Sequence, residues 1–245
     1  MRPVKLLAAC FLVALNLSAA IVRLDHKAAQ GTGNPSTVTT AAMNCTGGNF
    51  VAVWVVFYGA STSGASVSSS PSNTWHSTTN VAGASTNANG AWFYAYSASV
   101  SGSMTVTVTS GSFPTIYAAC YSGVQSSSDP KDQTATNNAS CTSTCQTGSI
   151  TPSVANELVL AGDVNTATGA TPYSINNSFT KLDEFSLSGG NAQGGASAEL
   201  IQTTATTENP TWTPTATGDQ AAAIISFKAA AASSDSNTPS HGGVF

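Results

Sequence analysis

Charged side chains are scarce in this chain. Asp, Glu, Lys and Arg make up 7% of its 245 residues, against roughly 25% in an ordinary soluble protein. Five scattered basic residues remain once Arg2 and Lys5 are set aside. They are too few to neutralise a phosphate backbone, so nucleic acid is excluded as a partner. No basic amphipathic stretch is present to lie on a membrane surface. Histidine is nearly missing too. His76 is the only one inside the expected domain, residues 36–229, which excludes a zinc site built from four N or S ligands. No metal and no cofactor is expected. There is no G-x-S-x-G nucleophile elbow and no closely spaced acid motif such as E-x-D-x-x-E. Amphipathic helical patterns are missing as well. Low charge with few hydrophobics would mean disorder, but 41% of the residues are hydrophobic and they fall in strand-length blocks, which argues for a core.

The blocks themselves are informative. Val51 to Tyr58 is an unbroken run of β-branched and aromatic residues, closed by Gly59. Eight residues suit a strand rather than a helix, and the lack of polar alternation predicts burial on both faces. Ser103–Thr109 alternates cleanly, with Met104, Val106 and Val108 facing in and Thr105, Thr107 and Thr109 facing out. Further strands are expected at Ser36–Met43, Ala65–Ser69, Asn73–Thr78, Ala91–Ala98, Thr115–Val124, Asn156–Gly162, Ser178–Phe185, Ala196–Thr203 and Asp219–Ala229. Thr211–Thr213 lies between Pro210 and Pro214, where an edge strand fits best. About 10–12 short strands separated by turn residues predict an all-β, antiparallel, jelly-roll-like sandwich. No internal repeat is evident. The sandwich is read as a single domain, 36–229, after a lead-in at 21–35 and before a disordered Ala/Ser-rich tail at 230–245.

Residues 1–20 read as a secretory signal peptide. Arg2 and Lys5 make the positive end, Leu6 to Leu17 is mostly apolar, and Ser18-Ala19-Ala20 supplies small residues for cleavage. The protein is therefore expected outside the cell, with no membrane attachment after cleavage. Cys10 leaves with the leader, and four cysteines stay. Cys141 and Cys145 form a local pair that clips a loop. Cys45 and Cys120 are left to each other; the alternative is two free, buried thiols.

The order of blocks resembles a family of secreted bacterial β-sandwich domains. The likeness rests on NCTGGNFVAVWVVFYG, SNTW, YAACYSGV with Pro130 and Asp132 after it, SITPSVANELVLAG, ELIQTTAT and AIISFKA. It runs from Ser36 to Ala229 and consists of core strands and turns. It implies a fold and no particular chemistry. One turn departs from the pattern: Ser69-Ser70-Pro71-Ser72-Asn73 stands where such domains often carry Asp-Ser-x-Gly-Asn. The missing carboxylate is of the kind that binds calcium, so no metal is implied.

Three kinds of site remain to be weighed. Glu199, Glu157 and Asp163 lie in or beside strands and could serve as acid and base if two of them converged within the 5–9.5 Å that glycoside cleavage needs. Solvated acids at strand ends are the ordinary alternative. Trp92, Tyr94 and Tyr96 alternate along one strand and share a face, as a sugar-stacking platform or as core. Trp75 and Trp212, in polar surroundings, are the better candidates for exposure. Serine catalysis would have to use His76, more simply read as structural. The expected function is a secreted, non-catalytic module that binds an extracellular glycan or cell surface. A polysaccharide hydrolase and a structural component of an extracellular layer are the alternatives. The sequence sets no oligomeric state.

Overall fold

A computed structural model of the protein describes residues 19–59, 65–78, 80–85, 87–110, 112–187 and 193–231. The leader up to residue 18 and the tail from 232 lie outside them. No helix occurs among the described residues. The run that begins at Phe50 is buried on both faces, as its lack of alternation requires. Phe50, Ala52, Trp54 and Val56 face one core, and Val51, Val53, Val55 and Phe57 face another. Two further strands, Leu158–Asn165 and Gln220–Phe227, are buried throughout in the same way. Such strands need cover on both sides, and the chain supplies it with four stacked layers.

The first half of the chain makes two of these layers. Its broad sheet runs in the order β1 (Val22–Gln30), β9 (Thr115–Ser122), β3 (Phe50–Tyr58), β7 (Ala88–Tyr96), β5 (His76–Ser77), with β6 (Val81–Ala82) also on β7. Its narrow sheet runs β2 (Thr37–Thr39), β8 (Thr105–Thr109), β4 (Ser66–Ser70). The second half makes a broad sheet in the order β10 (Lys131–Cys141), β17 (Gln220–Phe227), β12 (Leu158–Asn165), β15 (Gly194–Ile201), β14 (Thr180–Phe185). Its narrow sheet is β11 (Cys145–Gln146), β16 (Thr211–Thr213), β13 (Ser174–Ile175). All pairings are antiparallel. The two broad sheets pack face to face in the middle, and each narrow sheet covers the outside of its own broad sheet.

The two halves have one topology. Matching β1 to β10, β2 to β11, β3 to β12, β4 to β13, β5 to β14, β7 to β15, β8 to β16 and β9 to β17 turns one strand order into the other in both sheets. Small details repeat as well. Met43 and Met104 exchange backbone hydrogen bonds ahead of β3 and β8, and Ile150 and Glu208 do the same ahead of β12 and β16. Ala98 N–H donates to the Asn49 carbonyl at 2.9 Å, and Gln202 N–H to the Glu157 carbonyl at 2.9 Å. In each half the chain crosses repeatedly between the two sheets, as in jelly rolls, and stays in the broad sheet from β5 to β7 and from β14 to β15. The antiparallel sandwich expected from the sequence is present, and it is present twice. The described residues accordingly form 17 strands rather than 10–12, and an internal repeat of structure that the residues do not spell out.

Three local expectations are corrected. The lead-in is not one: Val22–Gln30 is a strand paired with β9 along its length, and Ile21 before it sits in the core. The polar stretch Lys131–Cys141 is likewise an edge strand. Thr211–Thr213 is the middle strand of its sheet rather than an edge, because its short pairings with β11 and β13 leave the flanking prolines outside the ladder. Both disulfides form, Cys45–Cys120 with Cα atoms 5.8 Å apart and Cys141–Cys145 with Cα atoms 5.2 Å apart. Each stays within its own half. Bridges of this kind form and persist in oxidising compartments. No helix among the described residues is long and apolar enough to cross a membrane.

Candidate functional site

The three acids singled out from the sequence are separated by the strand geometry. Glu199 on β15 is opposite Leu160 and, like it, faces the first half. Glu157 and Asp163 flank Val159 and Ala161, which face the other way, into the core of the second half. With a rise of about 3.3 Å per residue, Glu157 and Asp163 stand roughly 20 Å apart along β12. No two of them meet. The spacing that glycoside hydrolysis requires is not available to this trio.

Each acid has a local partner instead. Glu199 accepts a hydrogen bond from Nη1 of Arg23, and the Tyr121 phenol lies against it. Burial, then the Glu199 charge, pushes the Tyr121 hydroxyl well above its ordinary range. Glu157 accepts from the Val154 N–H at 3.2 Å and sits beside Ser226 and Asp132. Burial raises its pKa, with Ser226 working against the rise. Asp132, not singled out from the sequence, is held below the usual carboxylate range despite partial burial. The hydrogen bonds it accepts from Ser153 N–H, Lys228 Nζ and Ser153 Oγ are the cause.

Asp163 is the most confined of the three. It is fully buried, and its Oδ1 accepts from Gln220 Nε2 at 2.8 Å. Burial raises its pKa well above the carboxylate range, and Gln220 offsets only part of that. The folded state thus holds a proton that the unfolded chain releases above about pH 4. Stability contributed here falls as the pH rises from that point through the folded pKa, by up to about 1.4 kcal/mol per pH unit. Asp163→Asn keeps the Gln220 contact and removes the titration. The variant is expected to melt higher than the parent at neutral pH, with a flatter dependence of Tm on pH above 4. A parental slope in Asp163→Asn would refute the buried-proton assignment.

A polar cluster lies where the sequence alone suggests only a lead-in. Arg23 and His26 on β1 face β14 and β15 across the seam between the halves. His26 Nδ1 is 2.7 Å from Asp183 Oδ2, and Gln30 Nε2 donates to the Ser186 carbonyl at 2.8 Å. A bulge between Arg23 and Asp25 keeps both Arg23 and His26 on the seam side. Asp25, turned away, is held below its usual range by Lys27 and by the N–H groups of Asn44 and His26, against the opposing effect of burial. Behind the seam, Tyr117, Tyr121, Trp92, Leu182 and Ser197 line a cavity of about 10 Å³. That is room for one water, far below the roughly 300–1,000 Å³ of a ligand pocket. A His–Asp pair orients imidazole in nucleophile triads; this one joins β1 of the first half to β14 of the second. It fastens the halves together.

The aromatic candidates are mostly core. Trp212 is fully buried and Trp92 and Tyr94 nearly so. The sequence places Trp212 at the surface; in Thr211-Trp212-Thr213 it is instead the one residue that points inward, edge-on to Tyr173. Trp75 is half-buried against the first-half core, and the indole N–H groups of Trp75, Trp92 and Trp212 are all buried. Tyr94 donates to the Asp129 carboxylate at 3.0 Å, and burial, then Asp129, raises its pKa. His76 stacks on Tyr94 and Tyr96, with ring centroids 5.3 and 5.0 Å away. It therefore has a structural place, as expected. The shared face of Trp92, Tyr94 and Tyr96 looks into the molecule and is no platform.

What remains outside is hydroxyl. On the narrow sheet of the first half, Thr37, Thr109 and Ser66 form one cross-strand row, and Thr39, Thr107 and Ser68 the next. Val38, Val67, Val106 and Val108 of the same strands point into the core. Nothing charged interrupts this surface, since no Asp, Glu, Lys or Arg occurs between Lys27 and Asp129. That charge-free run is the signal in the sequence from which the face could have been read.

Compared with protein-family models, with curated proteins and with solved structures, the chain matches none. What stands of the resemblance is an all-β protein of antiparallel sheets. Among the described residues no group of three or more His, Cys, Asp or Glu is placed to hold a metal ion.

Proposed function

We propose that the protein is an exported, non-catalytic binding module whose partner is an uncharged, hydroxyl-rich surface such as a neutral glycan. The observation that carries this reading is the outer face of the β2–β8–β4 sheet. Its outward side chains are Thr37, Thr39, Thr105, Thr107, Thr109, Ser66, Ser68 and Ser70, all of them hydroxyls. Neighbouring rows lie about 4.8 Å apart across strands and about 6.7 Å apart along them. Such a face offers a donor and acceptor at every position and no charge to be desolvated. The separation of Glu157, Asp163 and Glu199 supports binding over hydrolysis. The burial of Trp212 and Trp92 moves the contact from aromatic stacking to hydrogen bonding.

Because no charge takes part, binding should be indifferent to salt. Insoluble neutral polysaccharides, cellulose and chitin among them, are expected to retain the protein equally at about 0.1 M and about 1 M salt. Thr39→Lys/Thr107→Lys, which disrupts the centre of the face without touching the core, should reduce retention at least tenfold. Elution by salt, or retention that ignores the two lysines, would place the binding elsewhere; no retention on any neutral glycan would remove the reading.

A further inference from the structure

The way the two broad sheets meet carries more than their shared topology. A twofold interface is reciprocal: if one element touches a second, their counterparts touch too, and residues on the axis meet their own equivalents. The central contacts between the halves obey this rule. β7 packs across on β12 and β17, while its counterpart β15 packs on β3 and β9. β1 meets β14 at one seam; at the other, β10 meets β6, a strand with no counterpart in the second half, rather than β5. On the axis stands Trp54, fifth residue of β3, against Gly162, fifth residue of β12. A Cβ built on Gly162 would lie 2.5 Å from Cε2 of Trp54. The indole fits because both Gly162 and its own neighbour Gly90 lack side chains, and its N–H donates to the Asp163 carbonyl at 3.0 Å. Gly90 pairs with Val56 next to Trp54; at the matching place in the second half, Gly195 pairs with Val164 next to Gly162.

We infer that the face between the halves is a dimerisation surface made intramolecular, and that Trp54 and Gly162 restrict it to one partner: the first half accepts the second half and rejects a second copy of itself. Two first halves mated the same way would bring indole onto indole at the axis. Two second halves would leave a void there and lose the hydrogen bond. Around it, Phe50, Ala52, Val56 and Tyr121 against Leu158, Leu160, Ile225 and Phe227 are apolar and permissive. The seam pairs Arg23–Glu199 and His26–Asp183 are asymmetric too and favour the same mating; the contact at the axis adds the steric choice.

The test uses the full chain with a protease site inserted between Ser127 and Ser128, which are exposed on the connection between β9 and β10. Each disulfide lies within one half, so cleavage leaves the halves joined without a covalent bond, by this face and by the backbone hydrogen bonds of Lys228 and Ala230 with Gln125, Gly123 and Ala19. After cleavage, unfolding and refolding with disulfides intact, native mass spectrometry should find mixed pairs and no pairs of first halves. Gly162→Trp is expected to weaken association of the cleaved halves about 100-fold, through overpacking, and Trp54→Gly about 100-fold, through the cavity. Trp54→Gly/Gly162→Trp moves the knob across the axis, over Gly195 in place of Gly90, and should regain at least tenfold of that loss. First-half pairs as frequent as mixed ones would overturn the inference. So would a double variant no tighter than the weaker single one.

Discussion

Replacing Trp54 by alanine is expected to cost about 3–5 kcal/mol of stability, the range for truncating a large buried aromatic side chain. The site belongs at the upper end of that range. Trp54 is completely buried between two sheets, leans on Trp92 at a centroid distance of 5.1 Å, and fills space that two glycines vacate. Strands on both sides are locked by their own ladders, so collapse around the missing ring is limited, and the Asp163 carbonyl loses a donor. For a chain of this length each kcal/mol lowers Tm by about 2–4 °C, so a drop of roughly 10–15 °C is expected in calorimetry. Trp54→Phe should recover part of the packing and none of the hydrogen bond. A Trp54→Ala protein that melts within about 2 °C of the parent would show that the halves do not depend on this contact.

The same contact explains why the duplicated architecture is illegible in the sequence. Strand order is repeated, but the residues at matching positions have diverged in kind. Trp54 answers to Gly162, Asn49 to Glu157, Val55 to Asp163 and Trp92 to Ser197. Self-comparison of residues cannot see a repeat whose equivalent positions differ this much. The central strands are legible because burial on both faces writes an unbroken apolar run, as in Val51–Tyr58 and the middle of Asp219–Ala229. β8 is legible because burial on one face writes an alternation.

The edge strands fail for the opposite reason. β1 reads VRLDHKAAQ and β10 reads KDQTATNNASC, sequences with no apolar period. Both sit at the margin of a broad sheet, and across the seam β1 meets β15 and β14 through Arg23–Glu199 and His26–Asp183. An ion pair across a seam leaves no hydrophobic trace. With β1 read as a lead-in, Arg23 and His26 drop out of view, and the polar cluster at the seam goes with them. The Cys141–Cys145 pair, by contrast, follows from spacing, whereas the sequence leaves Cys45 and Cys120 open between a bridge and two free thiols. The hydroxyl face follows from the alternation Thr105-Val106-Thr107-Val108-Thr109.

Removing the Cys45–Cys120 bridge should destabilise the protein nearly as much as losing Trp54. The bridge closes a loop with a sequence separation of 75, for which chain entropy alone gives about 4 kcal/mol. Cys141–Cys145, with a separation of 4, is expected to give only about 2 kcal/mol by the same reasoning. The bridges therefore separate in a reducing titration by effect as well as by position. Cys45→Ala/Cys120→Ala should fall in Tm by roughly 10–15 °C and Cys141→Ala/Cys145→Ala by about half as much. The form of the transition matters as much as its midpoint. The first pair weakens only the first half, because the loop it closes lies wholly within β3 to β9 and the segment before them. If the apolar face around Trp54 couples the halves, calorimetry of Cys45→Ala/Cys120→Ala will still show one transition, shifted as a whole. Two transitions, one lowered and one at the parental temperature, would mean that each half is held by its own narrow sheet and core, with the shared face adding little.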